Sequence, residues 1–298
     1  MKNRFGGVFV KHQDWEMLDA LLTTENITKA AEMLYLSQPT LTTRIRKLEE
    51  YYEVPLILRK QRGIAFTPEG ELLAQHARRM LQEQSRIEEE MANLKKEVAG
   101  TLRIGASNFF ALNKMPRLLS LFKKEFPIVE FQVVTGWSAE MYKSILNRDV
   151  HISFIKGDYT WKDRKELLYE ENVCVAAPWK FDWGDLPNLP RIEYTTDEKM
   201  RHTIDNWWYA NYKKHPRVDI HVHQVEACRE MIVNGLGYAI LADLVVKPHT
   251  DLITKPLSDE FGHPITRSTS MYYHEDSLEL NVVKSFVNFI LKQNIKDI

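Results

Sequence analysis

The sequence has little of what a secreted or membrane protein needs. Its two cysteines, Cys174 and Cys228, have no CxxC spacing, which is typical of buried thiols in a reducing compartment rather than of a disulfide scaffold. No uninterrupted apolar run approaches the ~18 residues that a membrane helix needs. The first apolar stretch, before residue 11, is too short for a signal peptide. We therefore expect a cytoplasmic protein with no membrane partner.

Familiar catalytic motifs are also missing. The sequence contains no GxSxG, Walker or HExxH motif, and no GxGxxG that opens a βαβ unit. His221 and His223 share one face of a predicted strand, and His202 or His215 could add a third nitrogen. Zinc sites usually combine histidine with cysteine or carboxylate at ligand spacing, and this pattern has neither. We expect no metal, no cofactor and no enzymatic activity.

Charge is balanced over the whole chain. The 298 residues include 40 lysines and arginines against 41 acids, and 44% of residues are hydrophobic. This is the composition of a globular protein of two or three domains. Because the net charge is −1, any surface that binds nucleic acid must be local. Residues 37–62 provide one, with six lysines and arginines against three glutamates.

Two short helical patterns open the chain. Apolar residues recur at helical spacing from Trp15 to Leu22, and a second pattern runs from Thr28 to Leu36. The second pattern carries Ala30 and Ala31 on one face, and such small side chains allow another helix to cross closely. This arrangement is typical of a helix-turn-helix.

A third helix follows directly. Ser37 is a strong N-cap, Pro39 is tolerated in the first turn, and Leu41, Ile45 and Leu48 form one buried stripe. The opposite face combines short polar side chains with cations, which suit base edges and phosphates in a major groove. These residues are Gln38, Thr40, Thr42, Thr43, Arg44 and Lys47.

A predicted β-hairpin completes this region. Strands at Val54–Leu58 and Ile64–Phe66 flank a basic turn, which places cations near backbone phosphates as a wing does. A small helical domain with an incidental basic loop is the alternative. The predicted DNA contacts are Thr28, Lys29, Ser37, Gln38, Pro39, Thr40, Thr42, Thr43, Arg44, Lys47, Arg59 and Arg62.

A long helix is predicted from Thr67 to Ala99. Its apolar positions follow a heptad pattern with one polar defect at Gln84, and such a seam favours a partner helix. Packing of the helix on its own domain is the alternative. We expect a dimerisation linker, which would supply the paired half-site readers that helix-turn-helix proteins use. The seam positions are Leu73, Ala77, Met80, Gln84, Ile87, Met91, Leu94 and Val98.

Beyond residue 100 the pattern alternates short strands with amphipathic helices. This predicts βαβ units and a parallel sheet, repeated in two similar α/β lobes with a ligand cleft between them. The predicted domains are 1–66 for the winged helix-turn-helix, 67–99 for the linker helix and 100–298 for the two-lobed domain. Within the latter, lobe I takes 100–160 and 268–298, and lobe II takes 161–267.

Several motifs, in order, resemble those of the LysR-type transcriptional regulators. They are Thr28-Lys29-Ala30-Ala31, Leu36-Ser37-Gln38-Pro39-Thr40-Leu41, Lys47-Leu48-Glu49, Phe66-Thr67-Pro68-Glu69-Gly70, Ile104-Gly105-Ala106-Ser107 and Gly235-Leu236-Gly237. The resemblance covers the whole chain. It implies a winged helix-turn-helix, a linker-helix dimer that usually forms a tetramer, and a two-lobed effector domain of the periplasmic-binding-protein type. It also implies an operator duplex as partner, with effects on DNA bending and RNA polymerase access.

The resemblance also implies an effector site between the lobes. It would involve Ser107, Asn108, Phe109, Thr135, Gly136, His202 and Gln224. Two positions depart from the family pattern, since His151 stands where aspartate is common and Ala242 where proline is usual. Because of these two departures, the known effector of another family member is a weaker guide to the effector of this chain.

Three segments further resemble the citrate-responsive catabolite control proteins C and E. They are 151–157, 225–231 and 265–269. In that group two cations hold the tricarboxylate, and the matching positions here are Lys156 and Arg267. A lysine in place of arginine loses the bidentate fork, which could change the ligand. We expect a small carboxylate effector such as citrate; solvated strand-end charges are the alternative at these two positions. An α/β enzyme with a vestigial helix-turn-helix, or a solute-binding protein, are the alternatives for the whole chain.

Overall fold

The computed structural model describes residues 10–93, 98–247, 249 and 251–298. The chain divides into two compact units, Met1–Leu94 and Lys95–Ile298. Across the described residues, no helix has both the length and the apolar character that crossing a bilayer requires.

The first unit is a winged helix-turn-helix followed by a long helix. Its elements are α1 (His12–Thr24), α2 (Ile27–Met33), α3 (Gln38–Tyr52), β1 (Ile57–Arg59), β2 (Ile64–Phe66) and α4 (Pro68–Asn93). Strands β1 and β2 pair antiparallel as the predicted hairpin. The predicted stripe of α3 lies buried in one core, together with Ala30 and Ala31 of α2 and Ala74 and Ala77 of α4.

Two side-chain caps set where the first helices start. The Asn26 side chain accepts hydrogen bonds from the backbone N–H groups of Thr28 and Lys29, which fixes the start of α2. Ser37 does the same for α3, accepting from the Thr40 N–H at 3.3 Å. Each cap satisfies N–H groups that have no partner inside the helix.

The wing is joined closely to the long helix. The Thr67 hydroxyl donates to the Pro55 carbonyl at 2.7 Å and accepts from the Gly70 N–H at 2.9 Å. A Cβ on Gly70 would lie 1.9 Å from the Leu56 carbonyl oxygen, so only glycine allows this approach. The wing therefore packs directly against the first turn of α4.

The end of the predicted seam differs from the prediction at Val98. Helix α4 is described as far as Asn93, and Val98 lies outside any helix. Leu94 lies outside the described residues, and Val98 packs against the core of the second unit instead. Three of the predicted seam side chains, Met80, Ile87 and Met91, are 54–62% exposed in the single chain.

The second unit consists of two α/β lobes. Its strands are β3 (Gly100–Ser107), β4 (Val129–Gly136), β5 (Ile152–Lys156), β6 (Arg164–Ala177), β7 (Arg191–Tyr194), β8 (Val218–Val222), β9 (Ala239–Ala242), β10 (Ile253–Pro256) and β11 (Thr266–Tyr273). Its helices are α5 (Asn108–Asn113), α6 (Met115–Glu125), α7 (Ser138–Leu146), α8 (Glu198–Asn211), α9 (Val225–Val233), α10 (Asp243–Val246) and α11 (Asn281–Leu291).

Parallel pairing confirms the predicted βαβ architecture. Strand β3 lies between β4 and β5 and is parallel to both. The sheet order is β10-β6-β11-β5-β3-β4, and β9 also pairs with β6. Because β3, β4 and β7 are followed by helices, the ends of these strands and the starts of those helices lie where ligands usually bind in such folds.

Strand β6 corrects one sequence prediction. The apolar run 173–177 predicts a strand there, but β6 begins at Arg164. Its first half pairs with β11 in lobe I, and its second half pairs with β9 and β10 in lobe II. The charged segment 164–171 gives no apolar alternation, so only its pairing with β11 reveals it as strand.

Two helix starts also differ from the sequence pattern, which predicts helices over 202–211 and 228–234. Helix α8 begins at Glu198 rather than near His202, and α9 begins at Val225 rather than at Cys228. Asp197 fixes the start of α8, because its side chain caps the helix by accepting a hydrogen bond from the Met200 N–H at 3.0 Å. An aspartate before a helical run is a strong start signal that apolar periodicity alone overlooks.

Candidate functional site

The predicted DNA-binding residues are mostly exposed on the first unit. Of the 12, all but Thr42 and Arg44 are exposed, and those two are half-buried. Along α3 the polar side chains also bond to one another: the Gln38 amide donates to the Thr42 hydroxyl at 3.1 Å, and the Ser37 and Thr40 hydroxyls are 2.7 Å apart. These local bonds restrict the rotamers of groups that can contact base edges.

Arg44 has partners that sequence reasoning missed. Its guanidinium donates to the Gln13 side-chain oxygen at 2.6 Å and lies 4.0 Å from the Asp14 carboxylate, both on α1. Helix α1 therefore orients the arginine of α3. By contrast, Arg46 is an exposed residue of the same helix and pairs with Glu50 at 3.2 Å.

A cavity of about 480 Å³ lies within the second unit, where strand ends and helix starts of both lobes meet. Its volume suits a small organic ligand. Of the predicted effector contacts it brings together Ser107, Asn108, Phe109, Gly136, Lys156, Gln224 and Arg267. It is also lined by Leu112, Trp137, Ser138, Tyr194, Thr195, Thr196, Asp197, His223, Val225, Glu226, Ala242 and Val245.

Thr135 and His202 do not line this cavity. Thr135 is an exposed residue of β4, next to Gly136, which does line it. His202 is exposed one turn inside α8, because the helix starts four residues earlier than the sequence predicts. The residue that the start of α8 contributes to the cavity is Asp197.

Lys156 ends strand β5 as a buried cation. Its ammonium pairs with the carboxylate of Glu171 on β6, and both residues are almost completely buried. Burial lowers the pKa of Lys156, and the neighbouring Glu171 charge opposes that shift. The Lys156 ammonium also lies 3.9 Å from the centre of the Phe109 ring, which is a cation–π contact. Lys156 is therefore a paired, buried charge, and the alternative of a solvated strand-end charge is wrong for this residue.

Arg267 makes a second ion pair beside the first. Its guanidinium donates to Asp197, and the two side chains are only 13% and 10% exposed. Arg267 belongs to β11, which is hydrogen-bonded to β5 in lobe I, whereas Asp197 caps α8 in lobe II. Arg267 also stands opposite Glu171 in the β11–β6 ladder. We call Lys156, Glu171, Arg267 and Asp197 the four-charge cluster.

Polar groups and helix starts complete the cavity wall. The starts of α7, α8 and α9 all contribute lining residues, and N-terminal helix turns favour anionic ligand groups. The Ser138 hydroxyl accepts from the Lys156 backbone N–H at 3.2 Å. The buried Ser107 hydroxyl has no hydrogen-bond partner among the described residues, so it can bond to a ligand.

The two cysteines take no part in this site. Burial raises the pKa of both Cys174 and Cys228 to about 12, so neither is a thiolate at neutral pH. Over the ranges that the structure describes, no three histidine, cysteine or acidic side chains gather as metal ligands do.

Comparison with known proteins decides the family. The model of the bacterial regulatory helix-turn-helix protein, lysR family, matches residues 12–71, and the LysR substrate binding domain matches residues 95–294. The chain belongs to the LysR family of transcriptional regulators. It is therefore a DNA-binding transcription regulator, and the enzyme alternative is not supported.

Curated relatives of this LysR-family chain are regulators too. It is 37% identical over 278 residues to the uncharacterized HTH-type transcriptional regulator YraN of Bacillus subtilis, covering 93% of this chain and 96% of the relative. It is 34% identical over 280 residues to YkuM of the same organism, with coverage of 93% and 96%.

Solved structures share the fold over the full length. A full-length OxyR variant of Pseudomonas aeruginosa matches with a TM-score of 0.64 at 17% identity, covering 97% of both chains. CbnR in complex with its target DNA matches with a TM-score of 0.62 at 16% identity, covering 95% of this chain and 99% of the other. At such identities the likeness shows the fold alone.

The buried Lys156–Glu171 pair generates a prediction about stability. Lys156→Met leaves the Glu171 carboxylate buried and unpaired, which should lower the free energy of unfolding of the second unit by about 3–5 kcal/mol. Lys156→Met combined with Glu171→Gln should recover most of that loss, because the buried charge is then gone. Urea unfolding of the full chain measures both. A single variant as stable as wild type, or a double variant no better than the single, would contradict the pairing.

Proposed function

We propose that this LysR-family regulator responds to a small carboxylate effector, which binds in the cavity between its two α/β lobes. The observation that carries this proposal is the position of Arg267, which lines the cavity on the strand that leads back from lobe II to lobe I. A ligand bound there contacts both lobes and so can favour one arrangement of them. We further propose that the protein works in the cytoplasm, where it has access to its operator and to RNA polymerase.

We propose that α3 reads the major groove and that the β1–β2 hairpin contacts phosphates. Support comes from the exposure of the predicted contacts and from the cations Arg59 and Arg62 at the wing. Arg44 is the strongest candidate for base readout, because α1 holds its guanidinium in place. An oriented arginine can bond a guanine bidentately, which is the commonest specific contact to a base.

The first DNA prediction compares two arginines of α3. Arg44→Ala should weaken binding to a duplex selected by the wild-type protein by roughly 10–100-fold, the value of one good base contact. Arg46→Ala, which removes an equal charge from the same helix, should cost much less. Fluorescence anisotropy at fixed salt measures both, and size-exclusion chromatography confirms unchanged assembly. Equal losses in the two variants would mean that Arg44 acts only through its charge.

We propose that α4 forms the dimer, within residues 67–99 as the linker segment. LysR regulators form oligomers, and α4 carries an exposed apolar seam at Met80, Ile87 and Met91. These residues are spaced by seven and four, so they lie on one side of the helix. Pairing along this seam would bring together two DNA-reading units, each with only a small local excess of positive charge. A tetramer would then come from further contacts.

The dimer prediction places a charge in the seam. Ile87→Glu should shift the full chain toward monomer and weaken binding to a two-half-site duplex, because a buried unpaired carboxylate opposes helix pairing. Gln75→Glu adds the same charge to an exposed position of α4 outside the seam and should change neither property. Sedimentation velocity across a concentration series gives the result. An Ile87→Glu protein that stays fully dimeric rules out this seam.

For the effector we propose a carboxylate held by Arg267, with Lys156 behind it. The likeness to the citrate-responsive control proteins C and E makes citrate the first compound to test. The cavity supports a carboxylate through Arg267, the unpartnered Ser107 hydroxyl and three helix starts. Lys156 contributes less directly, since Glu171 already neutralises it.

The effector prediction uses thermal shift of the full chain. At least one small carboxylate should raise the melting temperature of wild type, since a ligand that binds only the folded protein stabilises it. Arg267→Ala should respond far less, whereas Arg217→Ala, an exposed arginine paired with Asp219, should respond as wild type does. An equal response of Arg267→Ala would place the carboxylate elsewhere.

A further inference from the structure

The charges around the cavity are unusually well balanced for an anion site. The cations that line it are Lys156 and Arg267, and the acids that line it are Asp197 and Glu226. Glu171 adds a third carboxylate immediately behind the wall, on Lys156. Each cation is therefore already matched by an acid, and Glu226 has no ion-pair partner among the described residues. The wall carries no surplus of positive charge.

A polyanion is poorly matched to such a wall. Three ligand carboxylates would face two cations that are both engaged, with Asp197 and Glu226 close by. Like charges brought together in such a site repel strongly, and the wall has no unpaired lysine or arginine to offset the third ligand charge. Citrate would bind only after breaking an existing pair, and that would leave a carboxylate unpaired.

The Arg267–Asp197 pair nevertheless leaves hydrogen-bonding groups unused on both the guanidinium and the carboxylate. Asp197 uses one oxygen for Arg267 and the other for the Met200 N–H, so the pair is held by a single oxygen. A guanidinium has five donors, and a carboxylate oxygen can accept more than one bond. A ligand carboxylate can therefore join Arg267 while a ligand ammonium joins Asp197, without the pair being broken.

We propose that the effector is a small zwitterion of the α-amino-acid type. Its carboxylate binds Arg267 and the Ser107 hydroxyl, and its ammonium binds Asp197 and Glu226. This rests on the proposed function and narrows it: the ligand keeps the carboxylate and adds a cation. Such a ligand pairs the Glu226 carboxylate and the remaining donors of Arg267 at the same time.

Part of the remaining wall is apolar and suits an apolar side chain on that ligand. Phe109, Leu112, Tyr194, Val225 and Val245 all line the cavity. Polar anchors at one end and apolar surface at the other are the usual arrangement of small-molecule sites. Leucine, methionine and phenylalanine are therefore the probes that we choose.

The test is a titration of the full chain with matched compounds. Each of the three amino acids is compared with its deaminated acid and with its amide, and citrate is included. We expect at least one amino acid to bind, and its acid and amide to bind at least roughly tenfold more weakly, the value of one charged hydrogen bond. Calorimetry gives the dissociation constants.

The variant Asp197→Asn distinguishes a direct contact between Asp197 and the ligand from a purely structural role of Asp197. Asp197→Asn keeps a good cap for α8 but removes the anion, so the amino acid should bind roughly tenfold more weakly. The deaminated acid should bind more tightly than it does to wild type, because Arg267 is then released from its partner. A purely structural role of Asp197 would weaken both compounds together. Asp219→Asn, a surface residue outside the cavity, should leave all affinities unchanged.

The outcomes distinguish the two proposals. If citrate or a deaminated acid binds at least as tightly as the tightest-binding amino acid, the zwitterion proposal is wrong and the proposal of a carboxylate effector stands. If Asp197→Asn weakens the amino acid and its deaminated acid equally, the ammonium contact is wrong. If no compound in the panel binds, both the zwitterion and the small carboxylate effector are overturned.

Discussion

Two ion pairs, Lys156 with Glu171 and Arg267 with Asp197, lie where the two lobes of the second unit meet. Their positions follow from the backbone, because β11 lies between β6 and β5. Arg267 stands opposite Glu171 of β6, and Lys156 of β5 stands opposite Thr269, two residues further along β11. Burying charge is costly, and only mutual pairing makes it tolerable here. The crossover between the lobes therefore depends on the cluster remaining charge-balanced.

The need for charge balance in the four-charge cluster also determines which ligands the cavity can bind. Asp197 caps α8 and pairs with Arg267, so one side chain connects a helix of lobe II with a strand of lobe I. A ligand that binds Arg267 acts on that connection directly. Such a ligand would change how the two lobes are held together.

Much of the fold could be predicted from the sequence, because local signals and tertiary packing agree there. The cap at Ser37, the apolar stripe of α3 and the alternating lobes all follow from residue patterns. The prediction failed where tertiary pairing replaced local signals. Residues 164–171 are strand only because β11 lies beside them, and Val98 packs on the second unit although it continues the heptad spacing of α4.

The two cations of the site were predicted from the sequence, whereas its two acids were missed. Lys156 and Arg267 stood out through a family likeness, whereas Glu171 lies in a charged segment that looks solvent-exposed. Asp197 could have been found from sequence, since an aspartate before Glu198 is a strong helix start. Missing these two acids made the cavity look cationic. Once they are included, the wall is neutral or acidic, which changes the ligand that it suits.

A crystal structure of the full chain with its tightest-binding ligand tests the central claim most directly. The account predicts the ligand carboxylate within hydrogen-bond distance of the Arg267 guanidinium, with the Arg267–Asp197 and Lys156–Glu171 pairs intact. A ligand bound outside this cavity, or bound inside it without touching Arg267, would contradict the account.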